Sequence, residues 1–313
     1  MGDNAFNRIA IIGIGLLGSS IAHAVKSYGG ADEVLLWDAD TDVRARASRV
    51  VPGQVTETAK QAVSNADCVI LCTPVGVLAS VTALISPDLK AGVILTDVGS
   101  VKDKAASDMS ANAPVHAHVI PGHPIAGTEK SGPEAGFASL FHDAWHILTP
   151  LEDHTEEYLA AVDTLEAFWK TLGAKVETMD AARHDRVLAI TSHLPHLIAY
   201  NIVSTAYDME SIEDGEVVKY SAGGFRDFTR IAASDPTMWR DVFLTNKDAV
   251  LETLGRFSED LAALQRAIRW GDGDTLMKEF TRARGIRKAI IDAGLDTDEA
   301  DFGRRSNDSS EKS

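Results

Sequence analysis

Cysteine is almost absent. Cys68 and Cys72 are the only two in 313 residues, which rules out a disulfide framework as the source of stability. Both lie in "DCVILC". If that run is a strand they share one face and read as reduced core residues. Their spacing is not that of a redox or zinc motif. Positive charge is also scarce: 30 Lys and Arg stand against 46 Asp and Glu, a net charge of −16. That disfavours nucleic acid and anionic membrane surfaces. It leaves room for a small anionic substrate, because one local arginine overrides a distant field. No apolar run reaches the ~18 residues of a membrane span. "MGDNAFNRIA" lacks the basic and apolar regions of a secretory signal. No His, Cys and acidic cluster has metal-ligand spacing. A cytoplasmic protein without metal is expected.

Hydrophobic content of 45% and a length beyond what one core usually supports point to two domains. The first half alternates short apolar runs, at 8–13, 33–38, 67–72, 92–97, 117–122, 144–150 and more weakly 174–179, with helical stretches such as 16–28, 75–86 and 155–171. Continuous apolar runs suit strands covered on both faces. The alternation gives an α/β domain with a doubly wound, mostly parallel sheet over residues 1–179. Beyond it the pattern is all-helical, over 180–293, and the polar tail 294–313 reads as disordered.

"IAIIGIGLLGSS" places Gly13, Gly15 and Gly18 as G-x-G-x-x-G after a strand and at the mouth of a helix. The three glycines allow a tight turn, close approach of a pyrophosphate and close helix–strand packing. The amides of Leu16 and Leu17 lie at the helix N-terminus, where phosphates bind. Asp38 ends the second strand, twenty residues after Gly18. A carboxylate there accepts from ribose hydroxyls and repels a 2′-phosphate, and Ala39 and Asp40 bring no arginine. The cofactor expected is NAD. Thr73 and Pro74, after the 67–72 run, should line its groove.

Ligands in open α/β sheets sit beyond the carboxyl ends of the strands. Two segments there carry chemistry. "TDVGSVK" brings Ser100 and "GHPIAGTEKSG", read as a loop because its glycines and proline oppose regular structure, brings His123. A hydroxyl and an imidazole beside a nicotinamide make a proton-transfer pair. The plainer alternatives are that Ser100 caps the helix beginning near Val101 and that His123 is bonded to backbone. His116, His118 and His146 look structural. In "HDRVLAITSHLPH", Asp185 and His196 fall on one helical face, His193 is adjacent to His196, and Pro195 should kink the helix. "GGFRDFTRIAASDPTMW" offers Arg226 and Arg230, suited to a carboxylate.

Taken together, "GIGLLGSS", "DVGSVK", "GHPIAGTEKSG", "SHLPH" and "GGFRDFTRIAASDPTMW" resemble the prephenate/arogenate dehydrogenase family of tyrosine biosynthesis. The resemblance implies a Rossmann domain followed by a helical dimerisation domain, in the 6-phosphogluconate-dehydrogenase-like layout, and a homodimer. It also implies NAD-dependent oxidative decarboxylation of prephenate, arogenate or both. It makes His123 the acceptor of the C4 hydroxyl proton, and Ser100 the bridge between that histidine, the hydroxyl and the nicotinamide. Arg230 becomes the ring-carboxylate partner, with Arg226 the second choice. His193 and His196 come to lie beside the substrate, His196 at its side-chain end, and Glu129 and Asp185 become members of an ionic gate around Arg230. Other readings stay open: a 3-hydroxyacid dehydrogenase or imine reductase of the same layout, or a non-catalytic NAD-binding sensor.

Overall fold

The structure, a computed structural model, describes residues 4–128, 130–152, 155–210 and 223–292. Glu129 and the tail 294–313 lie outside them. The chain packs as two compact units, Met1–Thr253 and Leu254–Ser313.

The first unit opens with five β-α repeats and a sixth strand: β1 (Phe6–Ile12), α1 (Leu16–Tyr28), β2 (Ala31–Trp37), α2 (Thr41–Val50), β3 (Gln54–Val55), α3 (Ala59–Val63), β4 (Cys68–Leu71), α4 (Leu78–Ile85), β5 (Ile94–Asp97), α5 (Asp103–Asn112) and β6 (His118–Val119). The strands form one sheet in the order β3-β2-β1-β4-β5-β6, every pair parallel. The order reverses beside β1, so the crevice between the ends of β1 and β4 is the place where such sheets bind ligands. Alternate residues of β1 feed two separate cores. Ile9 and Ile11 pack with Ile21, Cys68, Ile70 and Trp169, whereas Ala10 and Ile12 pack with Val69, Leu71, Leu95 and Met109. Burial of both faces is why these strands read as unbroken apolar runs. β3 contributes only two residues, too few to show a pattern in the sequence.

The expected strand at 117–122 is two strands, and the His123 segment is not a loop. β7 (Gly122–Pro124), β8 (Trp145–Leu148) and β9 (Lys175–Thr178) form a second, three-stranded sheet. β7 runs antiparallel to β8 and places His123 opposite Ile147. β8 and β9 are parallel, joined through α6 (Glu156–Thr171). Gly122 fits here because a Cβ would stand 2.7 Å from the His146 ring. Pro124 closes the short strand at an edge of the sheet, where a missing N–H is tolerated.

A long helical rod follows: α7 (Ala181–Leu188), one π-helical turn (Ala189–His193) and α8 (Leu194–Glu210). The kink expected of Pro195 takes the form of this widened turn, which precedes a residue with no N–H to give. Ala181–Met209 is long and apolar enough by composition to cross a membrane. His184, Asp185 and His193 on it are nevertheless buried and bonded to other segments of the first unit. α9 (Gly223–Thr229), a 3₁₀ turn (Arg230–Ala233) and α10 (Pro236–Thr245) come next. Asp235 caps α10 by accepting from Met238 N at 2.8 Å, with Pro236 at the first helical position. α11 (Lys247–Trp270) carries the boundary between the units, and α12 (Gly273–Asp292) completes the second.

Candidate active site

The glycine turn after β1 is shaped by its neighbours. Gly13 has φ of +100°, and a Cβ there would lie 2.5 Å from the Cys72 carbonyl. A Cβ on Gly18 would stand 2.0 Å from the Gly13 carbonyl, so only glycine lets α1 approach the strand this closely. Gly15 differs: nothing lies within 4 Å of a Cβ built on it, which leaves an open cradle. No side chain caps α1 there, and the first amide to turn back into the helix is Ser19, bonded to Gly15. The amides of Leu16, Leu17 and Gly18 are therefore free to face an anion. Thr73, against Gly13, keeps a buried hydroxyl oxygen with no hydrogen-bond partner. Asp38 is held at the end of β2 by amides of Ile14 (2.8 Å) and Asp40 (2.9 Å). Open cradle, free amides and presented carboxylate fit a dinucleotide. The sequence reading missed Arg44, which reaches back from α2 to the carbonyls of Asp38 (2.6 Å) and Ala39 (3.3 Å).

A buried ion pair organises the next segments. Lys102 Nζ bonds both oxygens of Asp97 (2.6 and 2.5 Å) and the Gly122 carbonyl (2.7 Å). Asp97 also accepts from the amides of Gly99 (2.9 Å) and Gly122 (3.2 Å). One carboxylate–ammonium pair thus holds the Ser100 loop and the His123 strand to the same point. Burial pulls the Lys102 pKa down and the Asp97 charge pushes it back up.

His123 is 9% exposed. Its Nδ1 lies 2.9 Å from His184 Nε2, and His184 Nδ1 lies 2.8 Å from Asp185 Oδ1. Burial, then the neighbouring His184 and Lys102 charges, hold the His123 pKa well below the usual histidine value. The ring is neutral at neutral pH and able to accept a proton.

Asp185 lies against the start of α5. Its oxygens accept from the amides of Lys102 (2.7 Å) and Asp103 (2.9 Å), so a helical-half carboxylate caps α5. Ser100 does not cap that helix, whose N-cap is Lys102; Ser100 stays half-buried beside the His193 ring, which its carbonyl influences. His193 Nδ1 accepts from Asn246 (3.1 Å), which also bonds the Asp185 carbonyl. Burial pushes His193 down to about 4. His196 donates from Nδ1 to the Ser192 carbonyl (2.9 Å) and stacks on Trp239 at 3.7 Å. Burial lowers its pKa, and the Arg230 charge lowers it further. Arg230 and Arg226 are both exposed, but Arg230 is the one whose charge acts on His196. Sequence reasoning missed His184, Lys102, Asn246 and Trp239. Only long-range contacts reveal the burial of these four side chains.

A switch-point cradle for a dinucleotide, followed by a buried neutral histidine at the strand ends, defines a nicotinamide-dependent oxidoreductase class. Residues 21–178 match the family model described as prephenate dehydrogenase, nucleotide-binding domain, and residues 180–282 the model described as prephenate dehydrogenase, dimerization domain. The chain belongs to the prephenate dehydrogenase family. It is 43% identical over 286 residues to a cyclohexadienyl dehydrogenase of Zymomonas mobilis, covering 91% of this chain and 96% of that one. It is 32% identical to a prephenate dehydrogenase of Bacillus subtilis over 91% of this chain and 76% of the other. The crystal structure of prephenate dehydrogenase from A. aeolicus in complex with hydroxyphenyl propionate and NAD+ superposes with a TM-score of 0.83 at 31% identity, covering 93% and 99% of the two chains.

Proposed function

We infer that this chain catalyses the NAD-dependent oxidative decarboxylation of prephenate, with arogenate as a second substrate, in the formation of tyrosine. The observation that carries the reading is the buried, neutral His123 fixed at the strand ends by the same Asp97–Lys102 pair that fixes the Ser100 loop. The family membership and the relatives' names agree with it. Bound NAD+ supplies the oxidant that takes the hydride from C4 of the ring. Gly13, Gly15, Gly18, the amides of Leu16 and Leu17, Asp38, Thr73 and Pro74 would hold it.

His123 takes the proton of the C4 hydroxyl, and Ser100 aligns that hydroxyl. Arg230 binds the C1 carboxylate. That carboxylate leaves as CO2, its bonding pair enters the ring, and the oxygen at C4 regains a proton to become a phenol. Aromatisation drives the step forward, so the protein's part is alignment and a proton acceptor. His196 meets the side-chain end with His193 behind it. His196 gives its Nδ1 proton to the Ser192 carbonyl, so its Nε2 lone pair is free to accept from the ammonium group of arogenate, which supports arogenate as a second substrate. Glu129 lies outside the described residues, and its place in a gate with Arg230 is part of the proposal. We also infer a homodimer built through the helices. Leu261, Ile268, Trp270, Met277, Phe280 and Ile286 are exposed on the second unit, and the matched model is of a dimerization domain. Cys68 and Cys72 are free thiols, as suits a reducing cytoplasm.

The test is NADH formation from prephenate and from arogenate, each with NAD+ and NADP+. Turnover of both acids with NAD+ is expected. Tight NAD+ binding with neither acid turned over would reassign the chain as a sensor, and turnover of a 3-hydroxyacid instead would move it to another enzyme of this layout. Sedimentation of the intact protein as a monomer would remove the dimer.

A further inference from the structure

The three side chains Asp185, His184 and His123 form a buried line. Asp185 is 5% exposed, His184 0% and His123 9%. We propose that His184 and Asp185 are positioning residues that fix the tautomer of His123, presenting Nε2 as the unprotonated nitrogen toward the substrate hydroxyl. This rests on the reading of His123 as proton acceptor and deepens it.

The assignment follows from donor and acceptor counting. Asp185 accepts two amides and the His184 ring, and an ionised carboxylate has no hydrogen to give. His184 Nδ1 must therefore carry the proton of the 2.8 Å contact. In a neutral ring this leaves His184 Nε2 as an acceptor. The partner at 2.9 Å, His123 Nδ1, must then be the donor. A neutral His123 protonated on Nδ1 has its lone pair on Nε2, the correct form for removing a proton from an alcohol. The opposite tautomer would present an N–H to the hydroxyl and could not act as base.

The surroundings favour this neutral arrangement. Asp97 at the end of β5 and Lys102 in the segment after it lie on the His123 side of the site, with His146 from β8 and His193 from the π turn; His184 and Asp185 complete the ring from α7. When His123 takes the substrate proton, the C4 O–H bond breaks and an Nε2–H bond forms. The positive charge is then shared through His184 toward the Asp185 carboxylate. As CO2 leaves and its electron pair enters the ring, the Nε2 proton returns to the C4 oxygen and His123 is neutral again. Asp185 is held in place by the start of α5, so the line joins the helical segment to the sheet that carries His123.

The experiment combines kinetics with ¹⁵N-histidine NMR of the intact protein, the His123 resonances being identified by their loss in His123→Asn. In the wild type His123 is expected as the Nδ1–H tautomer. His184→Phe keeps a ring but offers no acceptor. It should lower kcat by about a hundredfold, on the scale of a lost general base, with KM changed less than about threefold and the His123 signals moved to the Nε2–H pattern. His184→Gln, whose amide oxygen accepts, should recover part of the rate. An Nε2–H tautomer for His123 in the wild type overturns the proposal even if the phenylalanine variant does not fold. So does a His184→Phe enzyme with unchanged kcat. The two readings separate cleanly: full activity in His123→Asn sinks the proton-acceptor role itself, whereas loss there with full activity in His184→Phe sinks only the relay.

Discussion

Asp97 and Lys102 face each other with both side chains at 0% exposure, and the Lys102 ammonium reaches past the carboxylate to the Gly122 carbonyl. A buried pair of this kind contributes little net stability against an apolar substitute, yet breaking it strands a charge. Here it also ties two functional segments together, so its loss acts on both stability and activity.

The first prediction is therefore a cost that a second change relieves. Lys102→Met should lower unfolding free energy by about 3–5 kcal/mol, because Asp97 is left buried and unpaired. Adding Asp97→Asn should restore much of that stability. It should not restore turnover, since the amide side chain cannot accept at both Gly99 and Gly122 while holding no ammonium. Urea unfolding of the single and double variants measures the first effect and NADH production the second. Equal stability of Lys102→Met and wild type would show the pair to be dispensable.

The three glycines of the cofactor turn should respond differently. Gly15→Ala meets open space at an ordinary φ of −82°. It should cost stability only about 1 kcal/mol, the scale of a helix-cap change, while weakening NAD+ binding by at least about tenfold, worth 1.4 kcal/mol. Gly18→Ala would put a methyl 2.0 Å from the Gly13 carbonyl and should unfold at a clearly lower temperature before any cofactor is added. Melting curves with and without NAD+ separate the two. Similar apo melting temperatures for both variants would contradict the packing.

Acid should destabilise the fold. Burial is the main cause that lowers the pKa of His123, His146 and His193, the last to about 4. The unfolded chain takes up protons near pH 6.5, where these buried rings do not. Between about pH 6.5 and the folded values the unfolded state binds more protons, so stability rises with pH there and is lost as pH falls through the window. Each histidine contributes up to about 1.4 kcal/mol per pH unit. Unfolding free energy measured from pH 7.5 to 5 should be flat above about 7 and fall below about 6.5. His146→Phe, which keeps the ring stacked on Trp169 at 3.8 Å in wild type, should flatten that fall. A slope unchanged by the substitution would assign the acid sensitivity elsewhere.

Much of this was legible in the sequence, for a physical reason in each case. Gly13, Gly15 and Gly18 announce the turn because backbone crowding admits no other residue at two of them. The parallel sheet shows as apolar runs because each strand is covered on both faces. Periodicity says nothing about which sheet a strand joins, so β8 and β9 looked like continuations of the first sheet. The His123 segment looked too rich in glycine and proline for a strand, yet β7 needs only three residues and one partner. His184 was invisible because its burial comes from His123, 61 positions away. The shared face expected for Asp185 and His196 assumed an unbroken α-helix. The π turn at Ala189–His193 changes the phase between them, so Asp185 caps α5 while His196 stacks on Trp239.

The last prediction concerns the guanidinium. Arg230 begins the 3₁₀ turn after α9, and its charge is felt at His196; Arg226 sits within α9. If Arg230 grips the C1 carboxylate, Arg230→Gln replaces a charge-assisted contact of about 1.5–3 kcal/mol, which raises KM for prephenate by roughly 10–150-fold. The change in kcat should be smaller, because the carboxylate is held in the ground state as well as the transition state. Arg230→Lys should recover little of this, since a point charge lacks the planar fork. Arg226→Gln should leave KM within about threefold of wild type, the scale of a lost surface charge. Initial rates over a prephenate series decide between the two arginines: an unchanged KM in Arg230→Gln with a large rise in Arg226→Gln would exchange their roles.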